Sequence, residues 1–315
     1  MQRTLTRAIA IAFLATAATT SAQAADFYGN FDIGIKASKV NGISTTRIEN
    51  GNSSESIFGV RGSEDLGGGA KAIFQLEGSF EGDDGTTNAP TFDRDTFVGL
   101  TSGEHTVKLG RLKTLNRAAV LDYDAFNASS WGIAMSAIDQ NGSFAANAIQ
   151  YDYAANGIKA SIQHIAGEES GGPSTASTDA VQVRYANGPL TATVTHTHVD
   201  DAAPTAASTT NTMVGVGYNF GFVQTTIMYQ DAKATAALPI EKRMVASATA
   251  SVNDSVKIMA QAGHVKQING DKANLVAIGG QYSLSKRTSL YASLSKSDLA
   301  GMDSKQFVTG VRHQF

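Results

Sequence analysis

The chain has 315 residues, a formal net charge of −3 and no cysteine. The lack of cysteine excludes disulfide frameworks, catalysis by a thiolate, cysteine-liganded metals and a lipidated N-terminal cysteine. The mild excess of acidic residues and the absence of a basic patch argue against a nucleic-acid partner.

The first segment has the pattern of a secretory signal peptide. Arg3 and Arg7 precede an apolar run over residues 8–18, and Ala22-Gln23-Ala24 matches a small-x-small cleavage site. The run is shorter than the roughly 20 apolar residues that a membrane-spanning helix needs. We therefore predict a signal peptide at residues 1–24 and one all-β domain at residues 25–315, whose net charge without the two arginines is −5.

Alternation of apolar and polar residues predicts sixteen strands in this domain. Side chains of a strand alternate between its two faces, so each run has one apolar and one polar face. In the last run, Phe307, Val311 and Phe315 share one face, and Gln306 and Arg312 share the other. The predicted strands cover residues 26–37, 54–63, 69–81, 92–102, 105–111, 145–154, 157–166, 178–186, 189–199, 211–220, 221–231, 241–251, 255–266, 273–283, 288–297 and 304–315.

The connections between these strands alternate between short and long. The short ones, such as Asn187-Gly188 and Asn253-Asp254, consist of turn-forming residues. The long ones, such as 167–178 and 200–210, are rich in small and polar residues. A soluble periplasmic sheet has no reason to alternate in this way, whereas an outer-membrane barrel has short periplasmic turns and long external loops. We predict an all-β fold, a sixteen-stranded antiparallel transmembrane β-barrel in the outer membrane of a Gram-negative bacterium.

The chain ends on an aromatic residue, at a position where most chains fray. A strand edge left unpaired in hydrocarbon is costly, so the closing strand has a reason to stay ordered to its last residue. We predict that Phe315 is an assembly signal, needed for insertion into outer-membrane lipid by the barrel assembly machinery.

One connection, at about residues 112–144, is too long to be a structureless loop of a compact domain. Residues 115–120 are compatible with a helix, and acidic and aromatic residues follow. Its apolar side chains should pack somewhere, and the lumen of the barrel is the available place. These side chains are Leu115, Val120, Leu121, Phe126, Trp131, Ile133 and Met135.

Four stretches resemble the general porins of Gram-negative outer membranes, particularly the neisserial and β-proteobacterial branch. They are residues 58–72, which begin Phe58-Gly59-Val60-Arg61-Gly62, then Phe97-Val98-Gly99-Leu100, Leu109-Gly110-Arg111 and residues 310–315. The similarity runs through essentially the whole mature chain. It implies a barrel that is usually a homotrimer, with a third loop folded into the lumen as a constriction and loop acids facing wall arginines.

The constriction residues that the resemblance implies are only partly present. Arg94 occupies one wall-arginine position, but Ile57 and Phe144 occupy two others. Both lie on lumen-facing sets, where packing against the inserted loop would account for an apolar residue. The remaining candidates are the loop acids Asp122 and Asp124 and the bases Arg111, Lys113 and Arg117.

These features favour a diffusion channel for small hydrophilic solutes and ions. The acidic net charge and the single wall arginine favour weak selectivity toward cations, with Arg94 as the most influential base. A substrate-specific channel is the first alternative, but it needs an aromatic track in the lumen, and most aromatics here have outward parity. A barrel that serves as an adhesin, a membrane anchor or an enzyme is the other alternative.

No sequence motif indicates catalysis or a cofactor. The chain contains no Gly-x-Ser-x-Gly elbow, phosphate loop or dinucleotide fingerprint. His196 and His198 share one face of a strand, but no acidic or cysteine partner stands at a fixed spacing, so we predict no metal site. We predict that the protein is not an enzyme.

Overall fold

The computed structural model describes residues 25–133, 142–167, 177–200, 208–233 and 240–315. The predicted signal peptide and Met135 lie outside these ranges. The described part contains one α-helix, α1 (Leu115–Tyr123), and a short 3-10 helix (Leu299–Gly301). Its strands are β1 (Asp26–Val40), β2 (Ile43–Asn50), β3 (Ile57–Gly67), β4 (Ala70–Ser79), β5 (Thr96–Ser102), β6 (His105–Lys113), β7 (Phe144–Ala155), β8 (Ile158–Ile165), β9 (Thr178–Asn187), β10 (Leu190–Val199), β11 (Thr209–Asn219), β12 (Val223–Ala232), β13 (Ile240–Ser251), β14 (Val256–Gln267), β15 (Lys272–Ser283), β16 (Thr288–Ser297) and β17 (Ser304–Gln314).

The strands form one antiparallel sheet that closes on itself. β1 pairs with β17 in the register that puts Asn30 opposite Gln314 and Val40 opposite Ser304. On its other side, β1 pairs with β2 along its second half and with β3 over its first five residues. The seventeen described strands therefore fill sixteen positions around the barrel. The predicted sixteen-stranded antiparallel barrel is confirmed.

The sequence analysis missed β2, which it treated as part of a connection. Asn41-Gly42 joins β1 and β2, and both residues have positive φ, 47° and 88°. This is the dipeptide that favours a tight hairpin turn. The strand is mostly exposed, and its two isoleucines, Ile43 and Ile48, fall on opposite faces, so it lacks the apolar face on which the assignments relied.

The apolar faces of the strands point outward, as the alternation predicted. On β9, Val181 and Val183 are 50% and 54% exposed, whereas Gln182 between them is 3% exposed. A soluble protein buries the apolar set, so this inverted pattern is that of a barrel whose outer face meets lipid. Among the described residues, no helix has the length and apolar character needed to cross a membrane.

The buried apolar core lies inside the barrel rather than between two layers. It joins residues of α1 and the segment after it to inward-facing side chains of β11–β17. The wall side chains of this core are Met213, Met228, Val245, Met259, Val265, Ala273, Leu275, Ala277, Tyr291 and Val308.

Candidate functional site in the barrel interior

Inward-facing polar side chains hold the backbone of α1 against the wall. Thr114 caps the helix, since its Oγ1 accepts from Arg117 N at 3.2 Å and donates to Gly142 O at 2.9 Å. From the wall, Gln182 Nε2 donates to Leu115 O at 2.8 Å, and Thr226 Oγ1 donates to Tyr123 O at 2.5 Å. Both ends of the helix are thus fixed to strands on the same side of the barrel.

Aromatic residues after α1 fix the rest of the segment to the same side. The rings of Phe126 and Trp131 meet edge to face at 5.0 Å, and Trp131 meets Tyr291 of β16 at 5.2 Å. Two inward-facing glycines make room, because a Cβ at Gly215 would lie 2.6 Å from the ring of Tyr123, and a Cβ at Gly279 would lie 2.8 Å from the ring of Phe126. The close fit leaves this segment little freedom to move along the wall.

The segment also binds a bulge in the wall, residues 51–56, which we call the inward bulge. It separates β2 from β3, and its six residues stand opposite only two residues of β1. Asn52 O accepts from Trp131 N at 3.1 Å. Ser53 O accepts from Ser129 Oγ at 3.0 Å and from Asn127 Nδ2 at 3.3 Å. The segment is therefore held from two sides of the lumen.

A buried carboxylate supports the inward bulge. Asp32 of β1 is 0% exposed. Its Oδ2 accepts from the backbone N–H of Ser53 at 3.2 Å and of Ser54 at 3.1 Å, and its Oδ1 accepts from the Tyr291 hydroxyl at 2.5 Å. Three donors compensate for the cost of burying this acid. They also connect the bulge to the far side of the seam between β1 and β17.

Arg94 lies on the opposite side of the interior from α1, between Glu77 of β4 and Glu55 of the inward bulge. Its Nε pairs with Glu77 Oε1 at 2.6 Å, and its Nη1 pairs with Glu55. Its guanidinium stacks on the ring of Phe144 at 4.7 Å, and the Lys113 ammonium lies 5.6 Å from the same ring. Burial lowers the pKa of Arg94 to about 10, so it remains charged at neutral pH.

The structure does not show the expected pairing of the loop acids with Arg94. Asp122 Oδ2 instead pairs with Arg184 Nη2 of β9 at 2.5 Å. Burial raises the pKa of Asp122, and the Arg184 guanidinium opposes that rise. Asp124 is buried, and its Oδ1 accepts from Phe126 N at 2.6 Å, so it shapes the turn after α1. Burial likewise raises the pKa of Asp124.

The remaining predicted residues have local partners. Arg111 Nε donates to Asp93 O at 2.6 Å, and Lys113 Nζ lies 3.7 Å from Asp95 Oδ2. Arg117 is buried, and its Nη1 reaches Ala128 O at 3.5 Å. The ring of Phe144 contacts the charged groups of Arg94 and Lys113.

Three cavities follow one another through the interior. The first, of about 530 Å³, lies between the external loops and is bordered by Phe80 and Phe144. The middle one, of about 290 Å³, shares Glu55 and Arg94 with the first. The third, of about 330 Å³, lies toward the short turns and shares Leu121 and Arg312 with the middle one. Each cavity shares lining residues with the next, and we call this series of three neighbouring cavities the passage.

The middle cavity is mostly basic. Its single acid is Glu55, which is already paired with Arg94, and Ile57 also borders it. Among the described residues, Arg312 has no ion pair or side-chain hydrogen bond, and it faces two of the three cavities. The bases on this cavity are Arg94, Lys113, Arg117 and Arg312.

Sequence reasoning missed several residues of this interior. Arg312 stands on the inward-facing set of the terminal strand, so its parity was a sufficient signal. Glu55 and Glu77 carried no such signal, since their role depends on which strands lie beside Arg94. Asp32 was also missed, because the inward bulge that it supports breaks the alternation.

Comparison with known proteins agrees with this architecture. The sequence profile of the Gram-negative porin family matches residues 8–301. Outer membrane porin protein 32 of Delftia acidovorans is 30% identical over 313 residues, which cover 91% of this chain and 88% of that protein. An outer membrane porin of Bordetella pertussis is 26% identical, with 84% of each chain covered.

Solved structures show the same fold. The anion-selective porin from Comamonas acidovorans superposes with a TM-score of 0.79 at 27% identity, covering 93% of this chain and 99% of that one. The outer-membrane protein OmpT of Vibrio cholerae, at 16% identity and a TM-score of 0.68, shares the fold. With its closed barrel, lipid-facing apolar surface and family match over most of its length, this chain belongs to the Gram-negative porins and is a channel of the outer membrane.

Proposed function

We propose that the passage is the route by which small hydrophilic solutes and ions diffuse through this outer-membrane porin. The observation that carries the proposal is the series of three neighbouring cavities between the α1 segment and the opposite wall. Residues 114–133 narrow the lumen along this route, so we assign them the role of the constriction. Their contacts with the wall and the inward bulge support that role.

We further propose that the channel is weakly selective for anions. The sequence suggested cations, because it offered one wall arginine and an acidic net charge. Selectivity, however, depends on charges at the narrow part of the route, where screening is least effective. There the middle cavity has four bases and one acid. The name of the Comamonas relative, an anion-selective porin, agrees with this assignment.

The interior offers little support for a substrate-specific channel. Such a channel needs aromatic faces along its route. Phe80 and Phe144 border the first cavity, but Arg94 lies over the Phe144 ring. Tyr123 and Trp131 border the third cavity, but they are 3% and 1% exposed. The described interior therefore favours passage by size and charge.

Planar-bilayer recordings test the function. The purified protein should form open channels whose reversal potential in a KCl gradient shows a modest preference for chloride. Removal of residues 115–130 should increase the single-channel conductance, since it removes the narrowing segment. An unchanged conductance in a properly folded barrel would contradict the constriction role, and a cation preference in the parent would contradict the anion assignment.

Assembly depends, we propose, on the last residue. Phe315 N donates to Gly29 O at 3.1 Å, Gly29 N donates to Phe315 O at 3.2 Å, and the Phe315 ring stacks on Phe27 at 5.8 Å. Removal of Phe315 deprives the closing seam of these contacts and should strongly reduce outer-membrane levels. Normal levels, measured by membrane fractionation, would contradict a role in recognition by the barrel assembly machinery.

The homotrimer is likewise a proposal, supported by the family to which the chain belongs. Light scattering of the detergent-solubilised protein should give the mass of three chains. A monomer in all mild detergents would contradict it.

A further inference from the structure

Two apolar side chains face the lumen outside the apolar core that the described part of the inserted segment forms. Phe97 of β5 and Ile73 of β4 stand next to Val98 and Phe74, which are 59% and 39% exposed on the outer face, so Phe97 and Ile73 point inward. Neither of them belongs to the core around α1. Water solvates a benzene ring poorly, so the barrel alone does not explain an apolar pair on a wet wall.

Bases lie over the aromatic rings of this wall. Lys108 Nζ is 5.2 Å from the centre of the Phe97 ring, and the guanidinium carbon of Arg61 is 4.7 Å from the centre of the Tyr28 ring. The electron-rich face of a ring attracts a cation and helps to hold it in place. The wall therefore presents positive charge and apolar surface side by side.

Strand pairing places these groups in a row across three strands. Arg61 of β3 is directly opposite Gln75 of β4, and Gln75 is directly opposite Phe97 of β5. Adjacent strands lie about 4.8 Å apart, so Arg61 and Phe97 are about 10 Å apart at the backbone. We call Arg61, Gln75 and Phe97, with Lys108 beside them, the wall row. It brings a guanidinium, an amide and a ring within reach of one small solute.

The bases of the wall row keep an excess of positive charge. Arg61 is exposed, and although Asp26 stands opposite it on β1, Arg61 forms no ion pair with any residue of the described ranges. Lys108 Nζ is 3.8 Å from Asp152 Oδ2, but the same carboxylate also pairs with Lys159 at 3.3 Å. An anion at the wall row therefore meets bases that the neighbouring acids do not neutralise.

The wall row lies just beyond the constriction. Gln75 precedes Glu77 by two residues on β4, so it is the next inward position toward the short turns. Glu77 pairs with Arg94, which borders the middle cavity. A solute that has crossed the constriction meets the wall row next, so the row ranks solutes that the constriction has already admitted.

We infer that the wall row is a subsite for aromatic carboxylates, of which benzoate is the simplest. The carboxylate would bind Arg61 and the amide of Gln75, and the ring would pack against Phe97, stacked or edge to face, and against Ile73. The inference rests on the proposed function, because a solute reaches this wall only through an open pore. One ring does not make a substrate-specific channel. The row adds a preference among anions of equal charge and similar size.

The test compares benzoate with cyclohexanecarboxylate, a monoanion of similar size without a π-system. Each is added to the folded porin in a planar bilayer in KCl at neutral pH, and its binding in the pore reduces the single-channel current. Benzoate should act at a concentration about two- to ten-fold lower, since an aromatic pair adds about that much beyond its buried area. A protein that forms no open channel contradicts the proposed function. Open channels that respond equally to both acids contradict only the subsite.

Two variants test the parts of the wall row. Phe97→Leu keeps an apolar side chain and removes the ring, so both acids should then act at the same concentration. The matched control Phe74→Leu removes a ring from the outer face of β4 and should behave like the parent. Arg61→Gln should weaken both acids by the same factor, and more than Lys71→Gln, which removes an inward charge nearer the short turns. A benzoate advantage that survives Phe97→Leu, or an Arg61→Gln variant that weakens neither acid, overturns the subsite.

Discussion

The two sides of the lumen place different chemistry on inward-facing positions. Under α1 and the segment after it, β11–β17 present methionine, valine and leucine, which form the apolar core. Across the passage, the wall presents Arg94, Glu77 and Lys113, which pair with one another or with neighbouring groups. The inward face of a strand therefore carries charged pairs where water reaches it, and a mixture of apolar side chains and polar ones such as Gln182 and Thr226, which bond the segment, where the inserted segment covers it. Alternation identifies the inward face, but it does not tell which of these two environments a residue meets.

The largest effect on the conductance is expected from a truncation in the apolar core that holds the segment after α1. Phe126→Ala removes a fully buried ring that contacts Trp131, and such a truncation costs about 3–5 kcal/mol. We expect the segment to detach in part, giving a higher and noisier single-channel conductance. Phe222→Ala, at an exposed ring in a short turn, is the matched control and should leave the recordings unchanged. A quiet, parent-like Phe126→Ala channel would show that the core does not hold the constriction.

A smaller effect is expected at the inward bulge, which joins the two sides. Asp32→Ala leaves the N–H groups of Ser53 and Ser54 and the Tyr291 hydroxyl without their acceptor, at a cost of about 1–3 kcal/mol for an unsatisfied buried group. Denaturant unfolding should show the loss, and conductance fluctuations should increase. Tyr291→Phe removes one donor and keeps the carboxylate's other two, so it should cost less. Equal stability of parent and Asp32→Ala would mean that the bulge needs no support.

Substitutions that remove a charge from the side of the lumen opposite α1 test the ion selectivity. Arg312→Gln should shift the reversal potential toward cations, because Arg312 borders two cavities. Arg94→Gln should shift it less, since Glu77, buried and left without a cationic partner, is expected to become protonated and offset the lost charge. Lys159→Gln, at a lysine paired with Asp152 and outside the lining of all three cavities, is the control. A larger shift for Arg94→Gln would restore the ranking that the sequence suggested.

The smallest expected effect is a pH dependence of selectivity. Burial raises the pKa of Asp122, so this carboxyl takes up its proton at a higher pH than an ordinary aspartate, whose pKa is about 4. As the pH falls, Asp122 loses its negative charge at a higher pH than an ordinary aspartate does, and the anion preference should increase. Asp122→Asn should show a flatter dependence on pH. Identical profiles would assign the titration to other groups.

Most of the fold could be predicted from the sequence, because lipid imposes a strict alternation on every strand that it touches. The prediction failed for two parts of the chain that do not face lipid. The strand β2 lies in the hairpin beyond the apolar band, and residues 51–56 do not pair with a neighbouring strand but contact the inserted segment. Alternation carries no information about either feature.

The interior was harder to predict for a different reason. The burial of Phe126 and Trp131 follows from their apolar character, and the sequence was sufficient to suggest it. The partners of Arg94 and Asp122 depend on which strands and loops stand next to each other in three dimensions. Glu55 precedes Arg94 by 39 residues, and Asp122 precedes Arg184 by 62, so spacing could not reveal either pair.

The division of one barrel position between β2 and β3 has a consequence for local unfolding. In the described part of the chain, β2 pairs only with β1, so its other edge has no strand beside it, whereas β3 lies between β1 and β4. Backbone amides on that free edge should exchange with solvent long before those of the barrel, since local opening needs only β2 to separate from β1. The protein thus consists of a slowly exchanging barrel, in which β1 stays paired with β17 up to Val40, and a short outer strand, β2, that opens on its own.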